Sequence, residues 1–370
     1  MADRLTPEEL IGQLPVAEAG SDLLDRARTA VRGGGFREFW KYTPAADFIS
    51  GLNRIDVQRP ELDVPEDGSI HVDHRAVGTT LGAQDGASTE RFPLADLALL
   101  LAGDAVIVDV TRSSEAPLRI RYGDGLTVPL LIRVGDGVST RIIEESLGEG
   151  FGNQTLYLHL GRGASVEHAS GALPPDACHW SLTQVSQAAG SRYTRQQYCT
   201  GGRKRRVETQ ILLNGPDASA DIVGAYVVED GTHLDQQLLV EHRSRATRSR
   251  QRFHGIGAGK GTTIFNGRIH IHPDSPGADA ALTNRNLALH PDATINTKPE
   301  LEIYTDDVKC SHGATVGQLS EESLFYLRSR GLDVATARRM LCRAFIRECV
   351  EGALAERAES TLLGAWTEVA

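Results

Sequence analysis

The chain reads as a β-solenoid held between helical regions, and three features predict it. From about residue 95 to 310, short alternating runs such as Thr155–Leu160 (TLYLHL), Thr209–Leu213 (TQILL) and Gln237–His242 (QLLVEH) are separated by Gly, Asp, Asn and Pro. That is the pattern of strands whose side chains alternate between two faces. A small residue followed by Ser or Thr recurs at Ala164-Ser165, Gly190-Ser191, Ala218-Ser219 and Ala246-Thr247, at intervals of 26, 28 and 28 residues, with a fifth case at Ala293-Thr294. A loose period in the twenties, built of strands and small-residue turns, suits rungs that stack into one core. Helix signals, finally, gather at the two ends. A β-sandwich would also space its strands regularly; an aromatic content of only 5% and the repeated small turn residues favour the solenoid.

Three regions follow in order. Residues 1–94 are expected to form a helical arm and linker. Thr6 can cap a helix with Pro7 in its first position, and Ala17–Val31 continues a helical pattern that stops at Gly33-Gly34-Gly35. The aromatic-rich Arg37–Pro44 segment then reads as a local hydrophobic anchor. Residues 95–316 are the expected β-helix core. Residues 317–370 are expected to be helical: Ser320 can cap a helix opened by Glu321 and Glu322 and ended by Gly331, and Asp333 can cap the next. On that second helix Val334, Ala337, Leu341, Phe345 and Cys349 form one stripe, broadened by Cys342, Ile346 and Val350. Such a stripe suits either packing on the solenoid end or a partner.

Composition excludes several classes. With 39 basic and 49 acidic residues in 370, a net charge of −10 disfavours non-specific nucleic-acid binding. The basic clusters Arg203–Arg206 and Arg243–Arg252 read as solvated strand faces. Five cysteines, without a CxxC pair, argue against a disulfide framework and against a four-thiolate metal site. The charged MADRLTPEEL start lacks the apolar core of a signal peptide, and the apolar run Leu94–Val110 is broken by Asp96 and Asp104. A cytoplasmic protein without membrane spans is the expectation.

Several motifs invite chemistry. Gly255–Thr262 (GIGAGKGT) fails as a phosphate loop, because the first glycine falls on His254 and Lys260 is followed by Gly261. His270 and His272 share a strand face and, with His254 or His290, would make a histidine metal site or a metal enzyme, but no spacing fixes a third ligand. A β-helix enzyme acting on carbohydrate is a further alternative, disfavoured by the scarcity of aromatic platforms. Cys342 and Cys349 share a helix face and suit core packing. Cys310 and His312 stand two apart in a turn-like segment, after Asp306 and Asp307 and before Gly313. A thiolate and an imidazole suit a soft metal or a sulfur ligand, yet two ligands cannot complete a tetrahedral site.

The segment from Lys298 to Leu319 (KPELEIYTDDVKCSHGATVGQL), followed by Leu324–Gly331 (LFYLRSRG), resembles the signature of the SufB/SufD family, scaffold subunits of an iron–sulfur cluster assembly system. The resemblance extends through Phe265–Ile269 and Thr283–Leu289, and weakly to Trp40–Pro44; it covers about residues 205 to 350. The SHGATVGQL wording, the modest length and the absence of a cysteine-rich N-terminal region look like SufD rather than SufB. The resemblance implies a right-handed parallel β-helix between helical ends and a non-catalytic scaffold. It also implies a complex with SufB and the ATPase SufC, the latter received by C-terminal helices through residues such as Leu324, Phe325, Leu341 and Phe345. A transient cluster shared with SufB would be held at the interface by His312, the firmer candidate, and Cys310. A reduced flavin goes with the assembled complex, with no residue here marked for it. No stably bound cofactor is expected for the isolated chain, for which a homodimer is the alternative assembly.

Overall fold

The computed structural model describes residues 40–43, 48, 57–76, 93–148, 150–171 and 177–364. The helices expected over Thr6–Val31 lie outside these. Residues 57–76 hold three strands, β1 (Val57–Gln58), β2 (Glu61–Asp63) and β3 (Ile70–Ala76), and Pro93–Ala102 forms helix α1. Strands β4 (Asp104–Val110), β5 (Leu118–Tyr122), β6 (Gly125–Thr127), β7 (Leu130–Val134) and β8 (Ser139–Ser146) start the solenoid. Twelve strands then complete six regular turns. They are β9 (Phe151–Leu160), β10 (Ser165–Ser170), β11 (Cys178–Gln187), β12 (Arg192–Thr200), β13 (Lys204–Leu213), β14 (Ser219–Val228), β15 (His233–His242), β16 (Arg248–Gly257), β17 (Thr262–Ile271), β18 (Ala278–Ala288), β19 (Thr294–Ile303) and β20 (Val308–Gly317).

Strands of one turn lie in different sheets, and each pairs in parallel with the strand two positions on. One sheet, sheet A, runs β3-β4-β7-β9-β11-β13-β15-β17-β19; sheet B runs β2-β5-β8-β10-β12-β14-β16-β18-β20. The repeat expected from the sequence is the rung: Ser165 lies opposite Arg192 and Arg192 opposite Ser219, each 27 residues on. It lengthens to 32 where Thr262 faces Thr294. Corners with a small residue stand before β10, β12, β14 and β16. There Gly163, Gly190, Asp217 and Ala246 adopt φ of 64°, 67°, 60° and 57°. The backbone amide of each donates to the next corner, to Ala189, Pro216, Arg245 and Pro276 carbonyls respectively. The corners therefore stack into a hydrogen-bonded ladder, and a left-handed residue is what each position requires.

Between the sheets runs an apolar core that includes Val108, Ile132, Leu158, Val185, Ile211, Val240 and Ile269, all of them buried. Period-two alternation sends their odd or even neighbours outward. The outer face of sheet B is covered as well. Ile143, Ala169, Tyr198, Val223, Ala225, Val227 and Ile256 pack against Cys342, Ile346, Cys349, Leu354, Ala358 and Leu362 of the C-terminal helices. These are α2 (Glu321–Ser329), α3 (Val334–Arg347) and α4 (Ala355–Gly364). Ser320 accepts from the Ser323 amide and Asp333 from the Thr336 amide, so both expected caps are present, and Gly331 turns with φ of 89°. The stripe on α3 packs along the flank of the solenoid rather than on its end, because sheet B offers there an apolar outer face that continues through five strands.

Two readings of the basic clusters part ways. Arg248, Arg250 and Arg252 are exposed on the outer face of β16, as expected. Arg205 and Arg206, however, are 0% and 1% exposed. Arg205 points into the solenoid. Arg206 lies on the outer face of sheet A, 3.8 Å above the Trp40 ring, where its Nη1 meets Asp235 at 2.5 Å and its Nη2 meets Glu208 at 2.6 Å. The aromatic segment around Trp40 is thus an anchor, fixed by a buried cation and by a 2.8 Å contact between Thr43 Oγ1 and His233 Nε2.

Candidate functional site

The two ends of the solenoid differ. At the start, β3 pairs antiparallel with β4 and β2 antiparallel with β5, so both sheets are closed off by reversed strands. At the other end β19 and β20 are the last strands of their sheets, and among the described residues nothing pairs with their free edges. An uncovered strand edge offers a row of backbone donors and acceptors to another chain. Most of β20 is exposed, and Ile303, Tyr304 and Val316 are apolar groups on this end at 41%, 59% and 50% exposure.

Cys310 and His312 sit on that last strand. The expected turn is a correction: both lie inside a ten-residue strand that pairs with β18 in unbroken register, Ala280 opposite Cys310 and Leu282 opposite His312. A continuous ladder leaves no room for a turn, and a Cβ on Gly313 would meet nothing within 4 Å. Being two apart on a strand, the thiol and the imidazole share one face, the face that in earlier rungs points into the core. Cys310 is half-buried and packs against that core, whereas His312 is exposed. Burial, and next the Asp279 carboxylate, raises the Cys310 thiol pKa above its usual value. The arrangement presents one imidazole and one partly shielded thiol at an unfinished end. Among the described residues no group of three or more His, Cys, Asp or Glu side chains has metal-holding geometry.

The remaining candidates are dispersed. Phe325 on α2 is 72% exposed and Tyr326 56%, while Leu324 and Leu341 are half-buried. Phe345 stacks on His254, ring centroids 4.4 Å apart, and its carbonyl meets His254 Nδ1 at 2.7 Å. His270 and His272 do lie together, centroids 4.1 Å apart, but each faces a carboxylate: His270 Nδ1 meets Glu302 at 2.8 Å and His272 Nε2 meets Glu241 at 3.1 Å. Gly255 and Gly257 belong to β16, and Ala258–Gly261 is a solenoid turn. Helix α3 and α4 also border a cleft of about 700 Å³ lined by Arg339, Met340, Arg343, Arg347, Glu356 and Glu359.

Sequence reasoning missed a polar network inside the solenoid. Tyr122 donates to Glu144 at 2.7 Å, His168 Nε2 meets the other Glu144 oxygen at 2.5 Å, and His168 Nδ1 meets Tyr193 at 2.7 Å. Nearer the open end, Asn284 donates to Tyr226, Tyr226 to Asn286, and Asn286 on to the Thr315 carbonyl of β20. The only signal was a polar residue on the inner parity of an otherwise apolar strand, as in Ile142-x-Glu144.

Residues 121–345 match the family described as "SUF system FeS cluster assembly, SufBD core domain". The chain belongs to the SufBD family. The match covers the solenoid from β5 to α3, the part that carries the open end. The chain is similar to the iron-sulfur cluster assembly protein SufD of Escherichia coli (strain K12), 34% identical over 195 residues, which are 52% of this chain and 46% of that protein. It is similar to protein ABCI7, chloroplastic, of Arabidopsis thaliana, 33% identical over 218 residues, 57% of this chain and 46% of the relative. A SufBD family protein of Mycobacterium leprae (strain TN) is 34% identical over 173 residues, 45% and 44% of the two chains. This SufBD chain thus spans about half the length of the relatives it matches. No described helix is long and apolar enough to cross a membrane.

Proposed function

We propose that this chain acts in iron–sulfur cluster assembly as a SufD-like, non-catalytic scaffold in the cytoplasm. Its open solenoid end meets the solenoid of SufB, and His312, with Cys310 beside it, contributes part of the site where the nascent cluster, the cargo of the reaction, is held. The observation that carries this reading is the last rung, uncapped among the described residues, with an exposed imidazole and a half-buried thiol on one face of a strand whose outer edge is free. Two ligands are half of a tetrahedral set, and a partner at that edge supplies the rest. SufC docks on the C-terminal helices, where Phe325 stands exposed and Leu324, Leu341 and Phe345 are partly so, Phe345 being stacked on His254. No residue of this chain is assigned to the reduced flavin of the assembled complex.

The test is co-expression of the chain with SufB and SufC from the same organism, followed by isolation of the complex and anaerobic cluster formation read by visible absorption. His312→Ala is expected to keep the complex and lose most of the cluster, with Cys310→Ala giving the smaller loss. Phe325→Asp is expected to release SufC and keep SufB. A wild-type chain that fails to co-purify, or a His312→Ala complex that forms clusters at the wild-type rate, overturns the reading.

A further inference from the structure

We propose that Asn286, oriented by Asn284 and Tyr226, is a positioning residue for His312. It pins the last strand of the open end, so that the imidazole keeps its place with no rung above it. The proposal rests on the cluster-assembly reading of His312 and deepens it. Tyr226 on β14 and Asn284 and Asn286 on β18 lie on the inward parity of their strands, and are 1%, 0% and 2% exposed.

Every hydrogen bond of this cluster has one possible direction. The Thr315 carbonyl on β20 can only accept, so Asn286 turns Nδ2 toward it at 3.2 Å and donates also to Asn284 Oδ1 at 2.7 Å. Asn286 Oδ1 is left to accept from the Tyr226 hydroxyl at 2.6 Å, and Tyr226 to accept from Asn284 Nδ2 at 3.0 Å. Asn284 Oδ1 takes a further hydrogen bond, 2.8 Å long, from Thr297 Oγ1 on β19. One buried cluster is therefore bonded to both of the last strands. Gly255, from the motif that fails as a phosphate loop, makes the space: a Cβ there would collide with the Tyr226 ring and with Asn286 Oδ1.

The last rung needs such a hold. Among the described residues β20 is paired on one edge only, and a mostly exposed strand with few buried apolar contacts opens readily. Val308 and Cys310 fix its first half by packing against the core. Beyond them, Asn286 ties the Thr315 carbonyl to the interior, three residues past His312. The exposed imidazole stands between those two fixed points.

The test has two arms. In the full chain alone, hydrogen exchange is followed in peptides covering β20 and, as a reference, β10. Asn286→Leu, similar in shape but without the amide, is expected to speed exchange in β20 roughly tenfold or more and to leave β10 as in the wild type. Gly255→Ala keeps every polar group and displaces Asn286; it is expected to act likewise, and serves where Asn286→Leu does not fold. Thr297→Val is expected to give a smaller rise, reversed in Thr297→Ser, which keeps the hydroxyl. In the complex with SufB and SufC, Asn286→Leu is expected to be recovered as the wild type is and to form clusters as slowly as His312→Ala. Unchanged β20 exchange overturns the proposal, and so does fast exchange with wild-type cluster formation. A His312→Ala complex that forms clusters normally instead defeats the reading of His312, and β20 exchange alone then decides whether Asn286 holds the strand.

Discussion

Replacing Arg206 by Met removes the cation that joins two buried carboxylates and carries the Trp40 anchor. Glu208 and Asp235 are each 1% exposed, and Arg206 reaches them at 2.6 and 2.5 Å; Trp180 Nε1 adds a 2.7 Å hydrogen bond to Glu208. Without the guanidinium the carboxylates keep their desolvation cost and lose its compensation, a change that costs about 3–5 kcal/mol in buried pairs. Loss of the contact over Trp40 adds up to about 2 kcal/mol where the cation is desolvated. At roughly 2 °C per kcal/mol for a large chain, the Tm at pH 7 falls on the order of 6–14 °C. The pH dependence separates charge from packing. Burial raises the Glu208 pKa even with Arg206 present, and Arg206 is the main group opposing that rise. Without Arg206 it rises further, so the folded variant holds protons that the unfolded chain has released, and its stability increases as pH falls through that window. The deficit against wild type, measured by thermal and urea unfolding, is therefore expected to shrink from pH 7 to 5.5, and Arg206→Met/Glu208→Gln to recover part of it. A deficit below about 1 kcal/mol, or one equal at both pH values, would refute the reasoning.

Three further outcomes are expected. Ala246 holds a left-handed corner that glycine fills in the two corners Gly163 and Gly190, so Ala246→Gly should raise stability by about 0.5–1 kcal/mol in urea unfolding, against the usual direction of an Ala→Gly change. Cys310 is half-buried and the other four thiols are buried, those of Cys342 and Cys349 being pushed up to about 12 by burial. One thiol per native chain should therefore react with an aromatic disulfide reagent, faster as pH rises, and Cys310→Ser should remove that reaction. His179 and His242 are buried neutral, burial holding them down to about 3 and about 4. The unfolded chain takes up protons below about 6.5 that these folded rings refuse, so stability is full above that value and each ring removes about 1.4 kcal/mol per pH unit as pH falls from 6 toward 4. Urea midpoints against pH should show that acid limb, and His179→Gln or His242→Gln should flatten it.

The solenoid was legible because a rung is a local unit: alternation within each run and a small residue at each corner recur whatever the rest of the chain does. The caps at Ser320 and Asp333 were legible for the same reason, since a cap contacts an amide three residues away. Cys310 and His312 stood out as a pair, but the single strand Val308–Gly317 looked like a turn, its Gly and Ser content masking a ladder that depends on β18. Arg205 and Arg206 show where local reasoning stops. Adjacent in sequence, they lie on opposite sides of one sheet, and both are buried, because one faces the solenoid interior and the other is covered by Trp40.

By itself the sequence determined the repeat, the helical C-terminal region, the absence of a disulfide framework and the likeness to scaffold proteins of cluster assembly. Tertiary structure alone decided which polar residues are inside, that the α3 stripe lies on the flank of sheet B, and that, among the described residues, one end of the solenoid is closed by reversed strands while the other stays open. The physical reason is range. Periodicity and caps are settled within one rung or one helical turn, whereas burial of a charge or exposure of an edge depends on what stacks above and below it.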